Sequence, residues 1–128
     1  MATLQTQTVT VTIDAPLVQV AADLADPTTH PSWATDFYAG PVRHRIDADI
    51  SRGILDLYFA PPGAPYGPPI PVRLVPNGDG VDVLWTLARF PGVSDQAWQQ
   101  GLAAMARELH ALKRRHETQP GADTPRTP

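Results

Sequence analysis

Apolar and polar positions alternate strictly from Leu4 to Ile13, LQTQTVTVTI. Leu4, Thr6, Thr8, Thr10 and Thr12 fall on one face; Gln5, Gln7, Val9, Val11 and Ile13 fall on the other. A period of two in β-branched residues predicts a half-buried strand. It stops at Asp14-Ala15-Pro16, which has the form of a helix start: Asp can cap free N–H groups and proline is tolerated in the first turn. Leu17, Val20 and Leu24 then recur at helical spacing as far as Pro27. Thr28 to Trp33, interrupted by Pro31, predicts a short second helix or a turn. Strand patterns return afterwards. Asp36 to Tyr38 is short; Val42, His44 and Ile46 alternate with Arg43 and Arg45; Ile54 to Phe59 is a third. Ile70 to Val75 and Val81 to Phe90 flank Asn77-Gly78-Asp79-Gly80, a hairpin turn because Asn and Gly accept positive φ.

After Pro91-Gly92 the period becomes helical. Ser94 is placed to cap a helix running to about Glu117, and Trp98, Leu102, Met105, Leu109 and Leu112 make one stripe at spacings of 4, 3, 4 and 3. Such a stripe predicts a long amphipathic helix pressed on a sheet. From Gln119 the chain has little to bury, which predicts one domain over 1–117 and a disordered tail over 118–128. Strands followed by a long helix indicate the α+β class. One stretch does not fit a ladder: APPGAPYGPPIPV, Ala60 to Val72, holds six prolines in thirteen residues. Proline donates no ladder hydrogen bond, so Pro61 to Pro71 is expected to be an extended loop and not a central strand. Either it lies over or beside a cavity mouth with Tyr66 at its tip, or it is a stiff surface connector, or it is a proline-rich ligand for a recognition domain.

Composition narrows the function classes. A chain of 128 residues with 42% apolar content holds one self-sufficient domain. With no cysteine, disulfides, thiolate metal sites and Cys nucleophiles are excluded. The net charge of −3 is spread without long runs, which argues against nucleic acid as a partner. MATLQTQTVTV has neither a basic head nor an apolar core, so it does not read as a signal peptide. No apolar run approaches the ~20 residues of a membrane span. The expectation is a cytoplasmic domain. There is no phosphate loop, dinucleotide fingerprint or nucleophile elbow, no His pair has metal-site spacing, and NGDG lacks the oxygen spacing of a calcium loop. No cofactor or metal is expected.

Three segments carry a resemblance. VTVTIDAP resembles a first strand running into an Ile-x-Ala-Pro helix start; LADPTTHPSWA resembles a Leu-x-Asp-Pro…Pro-x-Trp segment; RLVPNGDGVDVLWTLARFPGVSDQAW resembles a last hairpin leading into a final helix. Together, over about residues 5 to 117, they resemble the START/birch-pollen-allergen-like superfamily, also called SRPBCC or the polyketide cyclase/dehydrase group. The resemblance implies a helix-grip fold: a curved antiparallel sheet wrapped around the long C-terminal helix, with a largely apolar cavity between them. It also implies binding of small hydrophobic molecules, in some members cyclisation or dehydration of polyketide-like substrates, and in others action through protein contacts. Two departures stand out. Relatives usually have seven strands, and here the stretch between Trp33 and Val42 is short; relatives often carry aromatics in the first helix, where this chain has Ala21 and Asp23. Either departure would widen or open the cavity, or leave a sheet edge for a second copy to cover.

The candidate ligand-binding residues are Trp33, Phe37, Tyr38, Tyr66, Trp85, Trp98, Leu102 and Met105. Trp85 and Trp98 lie on regular apolar stripes and read first as core, whereas Trp33, Tyr38 and Tyr58 lie near element ends, where a mouth would be. The candidates for general acid–base chemistry are His44, Arg89, Asp56 and Tyr58. An inward His44 or Asp56 would move a proton, and Arg89, on the face of Val83, Trp85 and Leu87, would stabilise an enolate oxygen. Each has a structural alternative: His44 as an edge residue, Asp56 facing solvent, Arg89 paired with Asp56 or Asp49. His30 reads either as lining the mouth or as a solvated loop residue, and His110 and His116 read as surface residues near a helix end. The expected function is binding of a small hydrophobic or aromatic ligand, with polyketide cyclase/dehydratase-like chemistry as its catalytic form. The alternative is an interaction or homodimerisation module with a collapsed cavity. A binder should hold an apolar void of a few hundred Å³; the module should be packed to ordinary core density.

Overall fold

The computed structural model describes residues 3–36 and 40–117. The short strand expected at Asp36 to Tyr38 and the tail from residue 118 lie outside those residues or reach beyond them. The elements are β1 (Thr6–Ile13), α1 (Leu17–Ala25), a 3-10 turn (His30–Ser32), β2 (Arg43–Asp49), a second 3-10 turn (Ile50–Arg52), β3 (Ile54–Ala60), β4 (Ile70–Asn77), β5 (Gly80–Ala88) and α2 (Asp95–Glu117). The five strands form one antiparallel sheet in the order β1-β5-β4-β3-β2. Strands β2 to β5 are therefore a meander, and the first strand adds itself beside the last. Among the described residues, β1 and β2 are the edges.

Register explains the core. Val9, Val11 and Ile13 stand opposite Trp85, Val83 and Val81; Val72 and Leu74 stand opposite Trp85 and Val83; Leu57 stands opposite Ile46 and Ile70. Period-two alternation puts all of them on one inner face. Polar β1 residues close the outer face: Thr8 meets Thr86 at 2.8 Å and Thr12 donates to Asp82 at 2.6 Å. On the inner face α1 buries Val20, Ala21 and Leu24, and α2 buries Met105, Leu109 and Leu112. Ser94 caps α2 as expected, its Oγ accepting the Ala97 amide at 3.1 Å. At the hairpin between β4 and β5, Asn77 pairs with Gly80 and Gly78 takes φ 56°, the positive value that a type II′ turn requires at its first central residue.

Four expectations change. Asp14 does not cap α1: its N-cap is Pro16, with no side-chain cap, and the Asp14 amide donates instead to Glu117 Oε2 at 2.8 Å. Ala21 and Asp23 do not open a wall. Ala21 is sealed in the core, and Asp23 accepts from Arg115 Nε and His116 Nε2, both at 2.8 Å. His116 is accordingly buried at 2% exposure and not on the surface. It follows Leu109 and Leu112 at seven and four residues, which keeps it on the packed face. Finally, Pro71 belongs to a central strand. The β4–β5 ladder begins only at Val72, so Pro71 lies at the strand start, where one flank is not yet paired.

The rest of the proline segment, residues 61–69, is a loop. It folds onto the outer face of the sheet. Tyr66 packs edge-on against Tyr58, with ring centroids 6.1 Å apart; the Arg43 guanidinium sits 4.5 Å over the Tyr66 ring and donates to the Ala64 carbonyl. Tyr58 and Arg43 both point away from the core, because Leu57 and Phe59 on β3 and His44 and Ile46 on β2 take the inner face. Tyr66 therefore stands across the sheet from the interior and not over a cavity mouth.

Candidate ligand-binding site

A cavity of about 100 Å³ lies between the sheet and α2. Its walls come from four places: His30, Trp33 and Ala34 after α1; Phe59 and Ile70 on β3 and β4; Trp85 and Leu87 on β5; Met105 and Glu108 on α2. The void is smaller than the few hundred Å³ expected of a ligand site, yet larger than an ordinary packing defect. For scale, an apolar protein cavity of about 150 Å³ admits benzene.

His30 organises one wall. The backbone turns after Asp26, whose Oδ1 accepts the Thr28 amide at 3.0 Å, and this turn carries His30 inward to 1% exposure. Its Nε2 lies 2.7 Å from the Leu24 carbonyl, so Nε2 carries the proton and donates. Burial pushes the imidazole pKa below its usual value, and His44 nearby adds to this, while the Leu24 bond acts the other way. The ring then packs edge-on against Trp33 at 5.3 Å, and Trp33 packs edge-on against Trp85 at 6.3 Å. Glu108, 6% exposed, brings a carboxylate to the α2 side.

Of the residues expected to bind a ligand, Trp33, Trp85 and Met105 line the cavity. Trp98 is buried but outside the main core cluster and off the cavity wall, and Leu102 is half-buried and off the wall. Phe37 and Tyr38 lie outside the described residues. The four acid–base candidates are not brought together. His44 faces inward opposite Phe59, its ring 6.4 Å from His30, but does not line the cavity. Asp56 faces outward and pairs with Arg73 at 3.3 Å. Tyr58 also faces outward, under the Arg45 guanidinium at 4.9 Å. Arg89 follows the end of β5 and pairs with Asp95 at 2.7 Å instead of with Asp56 or Asp49, and it donates twice to the Val93 carbonyl. It fastens the turn that leads into α2.

Glu108 was not expected at the site, and His30 was expected either at its mouth or as a solvated loop residue. Glu108 carried a legible signal, since 105, 108, 109 and 112 are one helical face. For His30 the choice between mouth and solvent was not legible, because its inward turn depends on the Leu24 carbonyl. Two surface grooves adjoin the cavity. One, about 350 Å³, is lined by Gly40, Pro41, Val42, Phe59, Ala60 and Pro61 and shares Phe59 with it. The other, about 220 Å³ and more polar, shares Trp33 and Glu108, and Arg107 pairs with Asp36 there at 3.0 Å. Among the described residues no cluster of three or more His, Asp or Glu is placed to hold a metal ion, and no helix is long and apolar enough to cross a membrane.

No family model and no curated protein matches the sequence. Solved structures do match. The solution structure of the Aha1 dimer from Colwellia psychrerythraea is similar with a TM-score of 0.73 at 16% identity, over 90% of this chain and 98% of that one. CalU16 from Micromonospora echinospora is similar with a TM-score of 0.61 at 17% identity, over 93% and 80%. DynU16, from the dynemicin biosynthetic locus, gives 0.65 at 17% identity, over 88% of this chain but 47% of that one. Ara h 8.0201 gives 0.57 at 11% identity, over 86% and 95%. The protein has an α+β helix-grip fold, which it shares with these solved structures.

Proposed function

We propose that the protein binds a small, largely apolar molecule between the inner face of the sheet and α2. The observation that carries this reading is the aromatic-walled cavity, where a packed core would leave none. Its volume sets the scale: at about 100 Å³ it is smaller than the ~150 Å³ cavity that admits benzene, so a single ring needs the walls to give a little, and a larger ligand needs Phe59 to swing so that the cavity joins the groove of Gly40 to Pro61. The occurrence of DynU16 in a biosynthetic locus is compatible with a role in small-molecule metabolism, though the likeness is one of fold. Binding is favoured over cyclase or dehydratase turnover because a general acid and a general base must each reach the bound molecule, and none of the four residues expected to do so lines the cavity. Asp56 and Tyr58 stand on the other side of the sheet, and Arg89 is engaged at its end. Native mass spectrometry of the protein purified from cells tests the proposal. A small molecule retained in the native spectrum and lost on denaturation is the expected result. A bare protein that also shows no thermal shift with single-ring compounds would count against it.

A second reading, self-association, has its own support. Strands β1 and β2 leave two sheet edges without a neighbour among the described residues, and one similar solved structure is a dimer. Sedimentation velocity at micromolar concentration separates monomer from dimer and bears on this reading alone.

A further inference from the structure

The sheet edge at β2 carries a charge sequence that is complementary to itself. The strand reads RHRIDAD over Arg43–Asp49. Arg43, Arg45, Asp47 and Asp49 share the outer face by alternation, and all four are exposed. Ile46 stands midway. The outer face is therefore cationic on one side of Ile46 and anionic on the other. Charges on an edge strand ordinarily deter pairing, but this arrangement matches its own reverse.

The backbone suits the same register. One step beyond the Ile54–Arg73 pair, the Leu74 amide donates to the Gly53 carbonyl at 2.9 Å. Antiparallel ladders alternate hydrogen-bonded and non-hydrogen-bonded pairs, so Ile54, Asp56 and Tyr58 turn their backbone groups towards β2. There they meet Asp49, Asp47 and Arg45. Ile46, lying between these, aims its N–H and C=O out of the edge. The β1 edge is guarded instead: Lys113 Nζ donates to the Thr12 carbonyl at 2.6 Å, and a lysine on an edge deters pairing.

We propose that β2 pairs antiparallel with β2 of a second copy about a two-fold axis at Ile46, joining two five-stranded sheets into one. This inference deepens the self-association reading above and rests on it. In this register Ile46 meets the partner's Ile46 as a hydrogen-bonded pair. Arg45 meets the partner's Asp47 and Arg43 meets the partner's Asp49, and the axis repeats each contact. Arg45 and Asp47 already pair within the strand at 2.9 Å, so two copies close a ring of four alternating charges. A slip of two residues, the smallest that keeps the backbone groups facing, sets Arg45 against the partner's Arg45 or Asp47 against the partner's Asp47 on the axis. Like charges directly opposite are unfavourable, which selects the register at Ile46.

Sedimentation equilibrium from micromolar to millimolar protein in low salt tests the pairing, with Arg45→Asp and Asp47→Arg as variants. Both sites are exposed. Each reversal turns two attractive contacts across the axis into two repulsive ones and should weaken the dimer by about 10-fold or more. In an equal mixture of the two variants the facing charges are opposite again, so the mixture should dimerise at least about 10-fold more tightly than either variant alone. Amide exchange at Ile46 in the wild type should slow as the dimer forms. A wild type that stays monomeric at millimolar concentration would overturn both this inference and the self-association reading. A wild-type dimer that survives both reversals at full strength, or that mixing does not restore, would overturn the β2 pairing and leave self-association through another surface standing. If a variant does not fold, the wild-type exchange decides: an Ile46 amide no slower in the dimer than in the monomer excludes β2.

Discussion

His30 couples the site to stability through its protonation. The fold keeps it neutral: burial lowers its pKa, and the Leu24 carbonyl fixes the proton on Nε2. The unfolded chain titrates near the ordinary value of about 6.5. Because the folded pKa is the lower one, the unfolded state takes up its proton first, and stability is lost as pH falls below about 6.5 through the folded value. Asp23 loses its contribution in a lower window. Burial opposes its ionisation, but hydrogen bonds from His116, Arg115 and Thr29 outweigh that and hold its carboxyl well below the usual carboxylate range. Its contribution is present above about pH 4 and declines below it. Urea unfolding at pH 7 and pH 5 should therefore show a loss in the wild type that is smaller in His30→Gln, which keeps a donor for Leu24 without titrating. An identical loss in both would remove His30 as its source. Asp23→Asn should cost about 1–3 kcal/mol at pH 7, most of it from the His116 contact, since the partly exposed Arg115 is screened. An unchanged urea midpoint would show that the α1–α2 clasp is dispensable.

Two glycines show how an element's place decides the sign of one substitution. Gly53 ends the second 3-10 turn at φ 66°, and a Cβ there would sit 2.3 Å from the Leu74 carbonyl oxygen. The same joint holds a bond from the Leu74 amide to the Gly53 carbonyl at 2.9 Å. Gly53→Ala should destabilise by about 1–3 kcal/mol from backbone strain alone, and more if β4 must shift. Gly101 lies exposed within α2 with nothing within 4 Å of its Cβ position. Gly101→Ala should stabilise by about 0.5–1 kcal/mol. Thermal unfolding of the pair checks both, and shifts of the same sign would refute the argument. Elements of this kind were the most legible part of the chain. Alternation in β1 and the stripe from Trp98 to Leu112 fixed which faces turn inward, because each pattern is local and long. The proline segment was legible as a loop. Its side of the sheet was not, because that depends on Tyr66 and Arg43 meeting partners on other strands.

The site belongs to the whole molecule, and that is why it was only partly legible. Trp33, Trp85 and Met105 could be named from apolar position alone, but His30 and Glu108 join them only when the turn after α1, two strand pairs and α2 converge. Candidates chosen for their chemistry fared differently, because a strand has two faces: Asp56 and Tyr58 alternate with Leu55, Leu57 and Phe59, so one register sends the carboxylate and the phenol outward while the apolar set goes in. Phe59 is where the molecule's architecture yields its most direct prediction. It is a wall of both the 100 Å³ cavity and the 350 Å³ groove beside it. Phe59→Ala should merge the two. It should also cost stability, at or below the ~3–5 kcal/mol of a fully buried Phe→Ala change, because Phe59 is only partly buried. If the cavity is the binding site and its size limits the ligand, the variant should gain affinity for two-ring apolar compounds that the wild type excludes, while a single-ring compound binds it no better. Thermal shifts with one-ring and two-ring apolar compounds on both proteins measure this. A variant that loses stability and gains no ligand would mean that Phe59 is packing and not a partition, and that the ligand is no larger than the cavity as it stands.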